Sequence, residues 1–323
     1  MRKTHLLALH LIAAALALLV HPSAALGQLS DAATSAVHLS TDYRVVADVT
    51  YLTANNWDAK LDIYVPASVS APNPTLIYIH GGGWVLGSKE TAVLQILPWL
   101  EMGWTVVNVE YRLGKVSLAP AAVEDCRCAL RWVIRNAKQY NFDVNKIVLT
   151  GHSAGGHLSL TTGMLPSSAG LDRQCPSSFG KPPDPAADQP KVAAIINWFG
   201  ITDVGDLFDG PSAQGYAIGW FGSLPHREEI AARVSPLTYV RPGLPPILTI
   251  HGDADPVVPY SHAVRLHQAL EKHGVPNQLL TIPGGKHGSF TRTENEMAYR
   301  TIRDFLIQHK IWQPPATSSN PKP

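Results

Sequence analysis

Cysteine is scarce, with three residues in a chain of 323, too few for a disulfide scaffold and without the pair-of-pairs spacing of a zinc site. Excess charge of one sign is missing too. Lys and Arg number 26 against 25 Asp and Glu, a formal net charge of +1, and no long basic run marks a nucleic-acid binder. Residues 82–89 end Gly-Ser-Lys rather than Gly-Lys-Ser, so they are no phosphate loop, and no glycine spacing matches a dinucleotide fingerprint. Asp253 and Asp255 imitate the start of a calcium loop, but Val257 breaks the ligand pattern. Neither cofactor nor metal is therefore expected. Repeats, coiled-coil heptads and disordered-tail composition are also missing. Hydrophobic residues nevertheless reach 45% and charged residues 16%, ordinary values for a globular chain with a sizeable core. What remains points to an enzyme that works with its own side chains.

The N-terminus reads as an address. Arg2 and Lys3 precede an apolar stretch from Leu6 to Val20, and the small-residue segment Pro22-Ser23-Ala24-Ala25-Leu26-Gly27 follows. Charged start, apolar middle and small residues at the end are the parts of a secretory signal peptide, here residues 1–27. The apolar run is shorter than the roughly 20 residues that span a bilayer. An exported protein, periplasmic or secreted, without stable membrane insertion after cleavage is expected. Export puts the thiols in an oxidising compartment. One disulfide from Cys175 to Cys126 or Cys128 is open, as is the plain reading of three small buried residues.

Residues 28–323 read as one α/β domain. Leu76–His80, Thr105–Val109, Lys146–Thr150, Ala193–Trp198, Ile247–His251 and Gln278–Ile282 are short apolar runs bounded by Gly, Pro or polar residues, the pattern of buried strands. Asp42–Tyr51 and Lys60–Val65 alternate more, which suits an antiparallel edge. From Pro120 to Ala137 apolar residues recur with a 3.6-residue period. Ser261–His273 ends in Lys272 and His273, then Gly274 and Pro276, a helix stop, and a last helix carries Met297, Ile302, Phe305 and Leu306. Apolar strands alternating with helices predict a mostly parallel, doubly wound sheet of about eight strands. Residues 166–190, rich in Pro, Ser, Gly and Asp, read as an irregular surface insertion.

Gly151-His152-Ser153-Ala154-Gly155 follows one of these strands and precedes a helix. A sharp strand-to-helix turn leaves no room for side chains two residues either side of a nucleophile, and it lifts the Ser hydroxyl clear of the sheet. Such a hydroxyl needs a base and a carboxylate to orient it. Asp255 lies just beyond the strand that ends at His251, with Asp253 the alternative and read as a turn cap. Of the 14 histidines, His287 alone follows the final strand in a Gly-rich loop and precedes a helix. His152 and His157 read as structural. His80-Gly81-Gly82-Gly83-Trp84 closes the third strand, where glycines bring backbone N–H groups against a substrate. Glu110, Tyr111 and Arg112 end a strand and are expected to brace the scaffold through an ion pair. Trp84, Trp198, Phe199, Trp220 and Phe221 cluster near strand ends or after the Ala193–Trp198 strand and are the aromatic candidates for lining a pocket, Trp84, Trp198 and Trp220 foremost.

Taken together and in this order, these motifs resemble the α/β-hydrolase superfamily, in particular its esterase and lipase branch with a loop similar to that of hormone-sensitive lipase. The His-Gly-Gly-x-Trp form is also similar to kynurenine formamidases and to bacterial feruloyl and acetylxylan esterases. The resemblance covers about residues 42–310. It implies Ser153 as nucleophile, His287 as base, Asp255 as its partner, and an oxyanion hole from the amides of Gly82, Gly83 and Ala154, or of Trp84 in the formamidase-like form. The implied activity is hydrolysis of short-acyl or aryl esters, small molecules or acetyl and feruloyl groups on plant polysaccharide. The alternative is an amidase, formamidase or prolyl-oligopeptidase-like peptidase with the same triad. A non-catalytic binding protein of the same fold is the third reading.

Overall fold

Asn55 and Asn56, both at positive φ, turn the chain back on itself between β1 (Tyr43–Ala54) and β2 (Trp57–Pro66). Two consecutive left-handed residues are what a tight hairpin needs, and Asn tolerates them. The turn lets the antiparallel strands run longer than the alternating patterns at 42–51 and 60–65. The structure, a computed structural model, describes residues 37, 41–176 and 190–314. The expected signal segment, residues 1–27, and residues 177–189 of the insertion lie outside the described residues. The described residues from Tyr43 onward form one compact unit.

The remaining strands are β3 (Asn73–Ile79), β4 (Thr105–Val109), β5 (Phe142–His152), β6 (Ala194–Trp198), β7 (Ile247–Gly252) and β8 (Asn277–Ile282). Among the described residues they form one sheet, ordered β1-β2-β4-β3-β5-β6-β7-β8. β1, β2 and β4 pair antiparallel; from β4 onward every neighbour is parallel. Every residue of β4, β6 and β7 is buried, which requires cover on both faces. Helices supply it: α1 (Val93–Glu101), α2 (Ala121–Arg135), α3 (Ala137–Tyr140), α4 (Ala154–Met164), α5 (Gly215–Phe221), α6 (Arg227–Val234), α7 (Ser261–Lys272) and α8 (Arg292–Gln308). The apolar stripe of α2 is buried at Ala122, Val123, Cys126, Ala129, Leu130 and Val133, as the period predicts.

Two points differ from the sequence reading. The segment between β6 and β7 holds the helices α5 and α6, which carry too little periodicity to be read in advance. The first part of the insertion is not loose surface: Ser167, Leu171, Asp172 and Cys175 are buried. There Asp172 takes hydrogen bonds from Arg127 (2.9 Å) and Arg131 (2.5 Å) of α2, and Cys175 is disulfide-bonded to Cys128. The ion-pair brace expected at the end of β4 runs to α2. Arg112 pairs with Asp125 of α2, Nη2 to Oδ1 at 2.7 Å and Nε to Oδ2 at 2.9 Å, while Tyr111 donates to His80 O at 3.0 Å.

Candidate active site

The fold brings the C-terminal ends of β3, β5, β6, β7 and β8 to one edge, and the motif residues gather there. Ser153 stands at the turn from β5 into α4 with φ 57° and ψ −119°, a conformation a non-glycine residue holds only when its surroundings force it. Its amide donates to Trp198 O (2.9 Å), which ties the turn to β6. A Cβ on Gly151 or Gly155 would collide with the carbonyl oxygen of Ile79. Glycine at both positions therefore lets the turn press against the end of β3 and leaves the Ser153 hydroxyl facing outward.

His287 Nε2 lies 2.9 Å from Ser153 Oγ, and His287 Nδ1 lies 2.8 Å from Asp255 Oδ2. The carboxylate is itself fixed, since Asp255 Oδ1 accepts from the amides of Val257 (2.8 Å) and Val258 (3.0 Å). Burial opposes its charge, but hydrogen bonds from His251, His287 and these two amides outweigh it and hold the carboxyl well below the usual range. Asp253 has another task. Its Oδ1 accepts from Gly284 N (2.6 Å), pinning the start of the loop that carries His287. A hydroxyl bonded to an imidazole that is bonded to a buried anion can have its proton removed at the moment it attacks.

Gly82 and Gly83 both hold positive φ, and a Cβ on Gly82 would meet Leu86 O while one on Gly83 would meet the Tyr216 side chain. The carbonyl of Gly82 accepts from Val85 and Leu86. The amides of Gly82, Gly83 and Ala154 make none of the backbone hydrogen bonds of the surrounding turns. Beyond the turn, Lys89 is buried and contacts Asp48, Asp62 and Glu90 at 3.1, 2.9 and 2.7 Å. Its amide donates to Glu110 Oε2 (2.7 Å) and its carbonyl accepts from Asn108 (2.7 Å), so the loop is bolted to β2 and β4.

The BD-FAE family model matches residues 61–270. The chain belongs to that family. A second model, TAP-like protein, matches residues 227–317. Among solved structures, a carbohydrate esterase from gut microbiota superposes with TM-score 0.66 at 28% identity, over 83% of this chain and 98% of that one. An esterase of Thermogutta terrifontis with propionate bound gives TM-score 0.69 at 26% identity, over 85% and 97%. Esterase LipC of Mycobacterium tuberculosis is 28% identical over 225 residues, 67% of this chain and 53% of that protein. The chain spans about half the length of this and other curated esterases it matches. The sheet is thus that of the α/β-hydrolase fold, and the domain is that of a carboxylic ester hydrolase.

A cleft of about 510 Å³ opens beside Ser153, lined by Leu94, Gln95 and Pro98 of α1, His152, Trp198, Phe199, Gly288, and Asn295 and Tyr299 of α8, with His287 and Gly81. Trp198 lines it as expected from sequence. Trp84 and Trp220 do not. Both are fully buried, stacked on each other at 4.2 Å, and Trp84 Nε1 donates to His157 Nδ1 (3.1 Å). They support the glycine loop from beneath. His157 completes that support by donating from Nε2 to Val234 O (2.7 Å), and burial lowers its pKa to about 3. His152 stacks on Trp198 at 4.9 Å; burial, then the nearby His287, lowers it to about 3. Phe199, another of the aromatic candidates, lines the cleft too, whereas Gln95, Asn295 and Tyr299 were not legible as lining residues. α1 and α8 bring these three from far along the chain, and no local pattern distinguishes them.

Glu110 carries an unusual proton. Burial lifts its carboxyl from 4.5 to about 7, against the lowering effect of the Lys89 amide, and its Oε1 faces His80 Nε2 at 3.8 Å. The folded chain retains this proton where the unfolded chain has released it. Stability from this group is therefore full below about pH 4.5 and is lost as pH rises through about 7. Glu110→Gln, which keeps an acceptor for the Lys89 amide, is expected to flatten the fall of Tm across that window. An unchanged slope would assign the pH dependence elsewhere.

Proposed function

We propose that this chain is an exported serine carboxylic-ester hydrolase acting on short-acyl or aryl esters, acetyl and feruloyl groups on plant polysaccharide among them. Ser153 attacks the acyl carbonyl while His287 takes its proton, and Asp255 steadies the imidazolium that forms. The tetrahedral oxyanion sits against the amides of Gly82, Gly83 and Ala154. His287 then protonates the leaving alcohol, and water, deprotonated by the same imidazole, hydrolyses the acyl-enzyme and restores Ser153. The observation that carries this reading is the pair of contacts at 2.9 and 2.8 Å joining Ser153, His287 and Asp255 at the floor of an open cleft.

Short acyl groups and a hydroxyl-rich alcohol are supported by the cleft itself. Among the described residues the Gln95 amide and the Tyr299 hydroxyl have no protein partner. Asn295 donates both its hydrogen bonds to Phe290 O and Thr291 O, which leaves its own oxygen free to accept. Trp198 and Tyr299, 5.5 Å apart, add aromatic faces. The related Thermogutta esterase holds propionate, a short acyl product. Initial rates on p-nitrophenyl esters of increasing chain length, run beside Ser153→Ala, test the reading. Ser153-dependent turnover that peaks at short chains supports it. Turnover confined to long-chain lipid emulsions, or to matched amides, would sink it. Tyr299→Phe is expected to raise KM for an acetylated xylo-oligosaccharide roughly 2–10-fold, the worth of one hydrogen bond, while p-nitrophenyl acetate is hydrolysed as before. An equal change on both substrates would remove Tyr299 from the alcohol side.

A further inference from the structure

His251, the fifth residue of β7, is fully buried and belongs to no motif role assigned above. Its Nε2 faces two acceptors, Val258 O at 3.0 Å and Asp255 Oδ2 at 3.3 Å. Nothing but oxygen lone pairs confronts that nitrogen, so Nε2 carries the hydrogen. Nδ1 is buried without a hydrogen-bond partner among the described residues. Such an unpaired buried atom costs free energy, and an apolar side chain at this position would avoid the cost. The ring is held edge-on by Tyr260 (5.7 Å) and Phe199 (6.4 Å), and Phe199 also packs against His287 at 4.7 Å.

We propose that His251 is a positioning residue for the ester-hydrolase reaction: its Nε2–H bridges Val258 O and Asp255 Oδ2 and sets the carboxylate that orients His287. The proposal rests on the triad reading given above. Asp255 Oδ2 is the same oxygen that receives His287 Nδ1, whereas Oδ1 is spent on the amides of Val257 and Val258. Those amides fix one side of the carboxylate but leave it free to tilt about the Oδ1 anchor. The His251 hydrogen closes that freedom from the strand side. Because it also grips the carbonyl of Val258, it locks to β7 the short loop from Gly252 that delivers Asp255. A carboxylate displaced by about 1 Å carries the imidazole with it and can cost 10²-fold in rate.

Gln and Asn separate this role from mere filling of the core. A Gln side chain can place its amide nitrogen near the position of imidazole Nε2; Asn is shorter and reaches only the position of Nδ1. His251→Gln is expected to keep kcat within about threefold of the parent. His251→Asn and His251→Leu are expected to lose roughly 10–100-fold in kcat for p-nitrophenyl acetate with KM unchanged, as the loss of an orienting partner does elsewhere. Thermal melting of all three variants accompanies the kinetics. Equal activity of the Gln and Asn variants, or activity that simply follows Tm, would overturn the proposal. Failure of the parent enzyme to hydrolyse the ester and to be labelled at Ser153 by a fluorophosphonate is a different result. It removes the triad reading itself, and His251 loses its role with it.

Discussion

Ser153→Ala is expected to lower kcat for p-nitrophenyl acetate by about 10⁴-fold or more. Among the described residues His287 Nε2 has no side-chain hydrogen-bond partner besides the Ser153 hydroxyl, so no competing nucleophile is poised on the base. Ala has the same Cβ as Ser and inherits the same strained φ of 57°. Stability should therefore change by no more than the ~1 kcal/mol of one hydrogen bond. His287→Ala should cost a similar factor, since Ser153 would keep its proton. The double variant should be no slower than either single one, because two members of one proton-transfer unit cannot be removed twice. The amides of Gly82, Gly83 and Ala154 survive all these changes and, as the proposed oxyanion hole, are expected to leave a residual rate above water. Asp255→Asn adds a direction to the test. The amide would offer a donor or a weaker acceptor to His287 Nδ1 and favour the wrong tautomer, with a loss that reached about 10⁴-fold in another serine hydrolase. Asp253→Asn should spare kcat, because Asp253 binds the Gly284 amide and not His287. Rates are to be referred to active sites titrated with a fluorophosphonate. More than a tenth of parental turnover in Ser153→Ala would end the serine mechanism.

The parts of this molecule that were legible in the sequence are those that local physics dictates. Lys146–Thr150 leading into Gly151 and Ser153 is a strand and a turn whose glycines are demanded by carbonyls a few ångströms away, so residue type and spacing report the structure directly. The same holds for the α2 stripe, where period alone decides which residues are buried. Trp84 and Trp220 failed because burial of an aromatic is decided by what packs on it. Trp84 is fixed by His157, 73 positions further on, and nothing near it in sequence says whether the indole faces the cleft or the core. Arg112 was legible as part of an ion-pair brace but its partner was not, because Asp125 lies inside an apolar helix stripe, where a carboxylate looks like an interruption. Tyr299 and Asn295 reach the cleft only because α8 crosses the sheet edge. His251 was visible merely as a strand end, since its role depends on where the next loop folds back.

Reduction of the disulfide should lower stability by about 4 kcal/mol without touching kcat. Cys128 and Cys175 are separated by 47 positions, and closing a loop of that length removes about 4 kcal/mol of conformational entropy from the unfolded chain. The native state around the bond should persist when it is opened. Asp172 stays clamped by Arg127 and Arg131, whose guanidinium groups hold its carboxyl below the usual range against the opposing effect of burial. Leu165 O still accepts from Arg127 at 2.8 Å. The loss therefore falls on the unfolded ensemble, and Tm should drop by roughly 7 °C for a chain of this size. Cys126 should not rescue the bond by exchange. It is fully buried, and that burial, followed by Asp125 and Glu110, pushes its thiol well above the ordinary range, so no thiolate is present to attack. Melting curves with and without reductant, beside Cys128→Ser/Cys175→Ser, measure the effect. Ester hydrolysis at 25 °C should be the same in both samples, because the bond lies between α2 and the segment after α4, away from Ser153 and the cleft. Equal Tm values would mean that the ion pairs alone restrain this segment. A fall in kcat with Tm unchanged would mean instead that the segment reports to the nucleophile through α4.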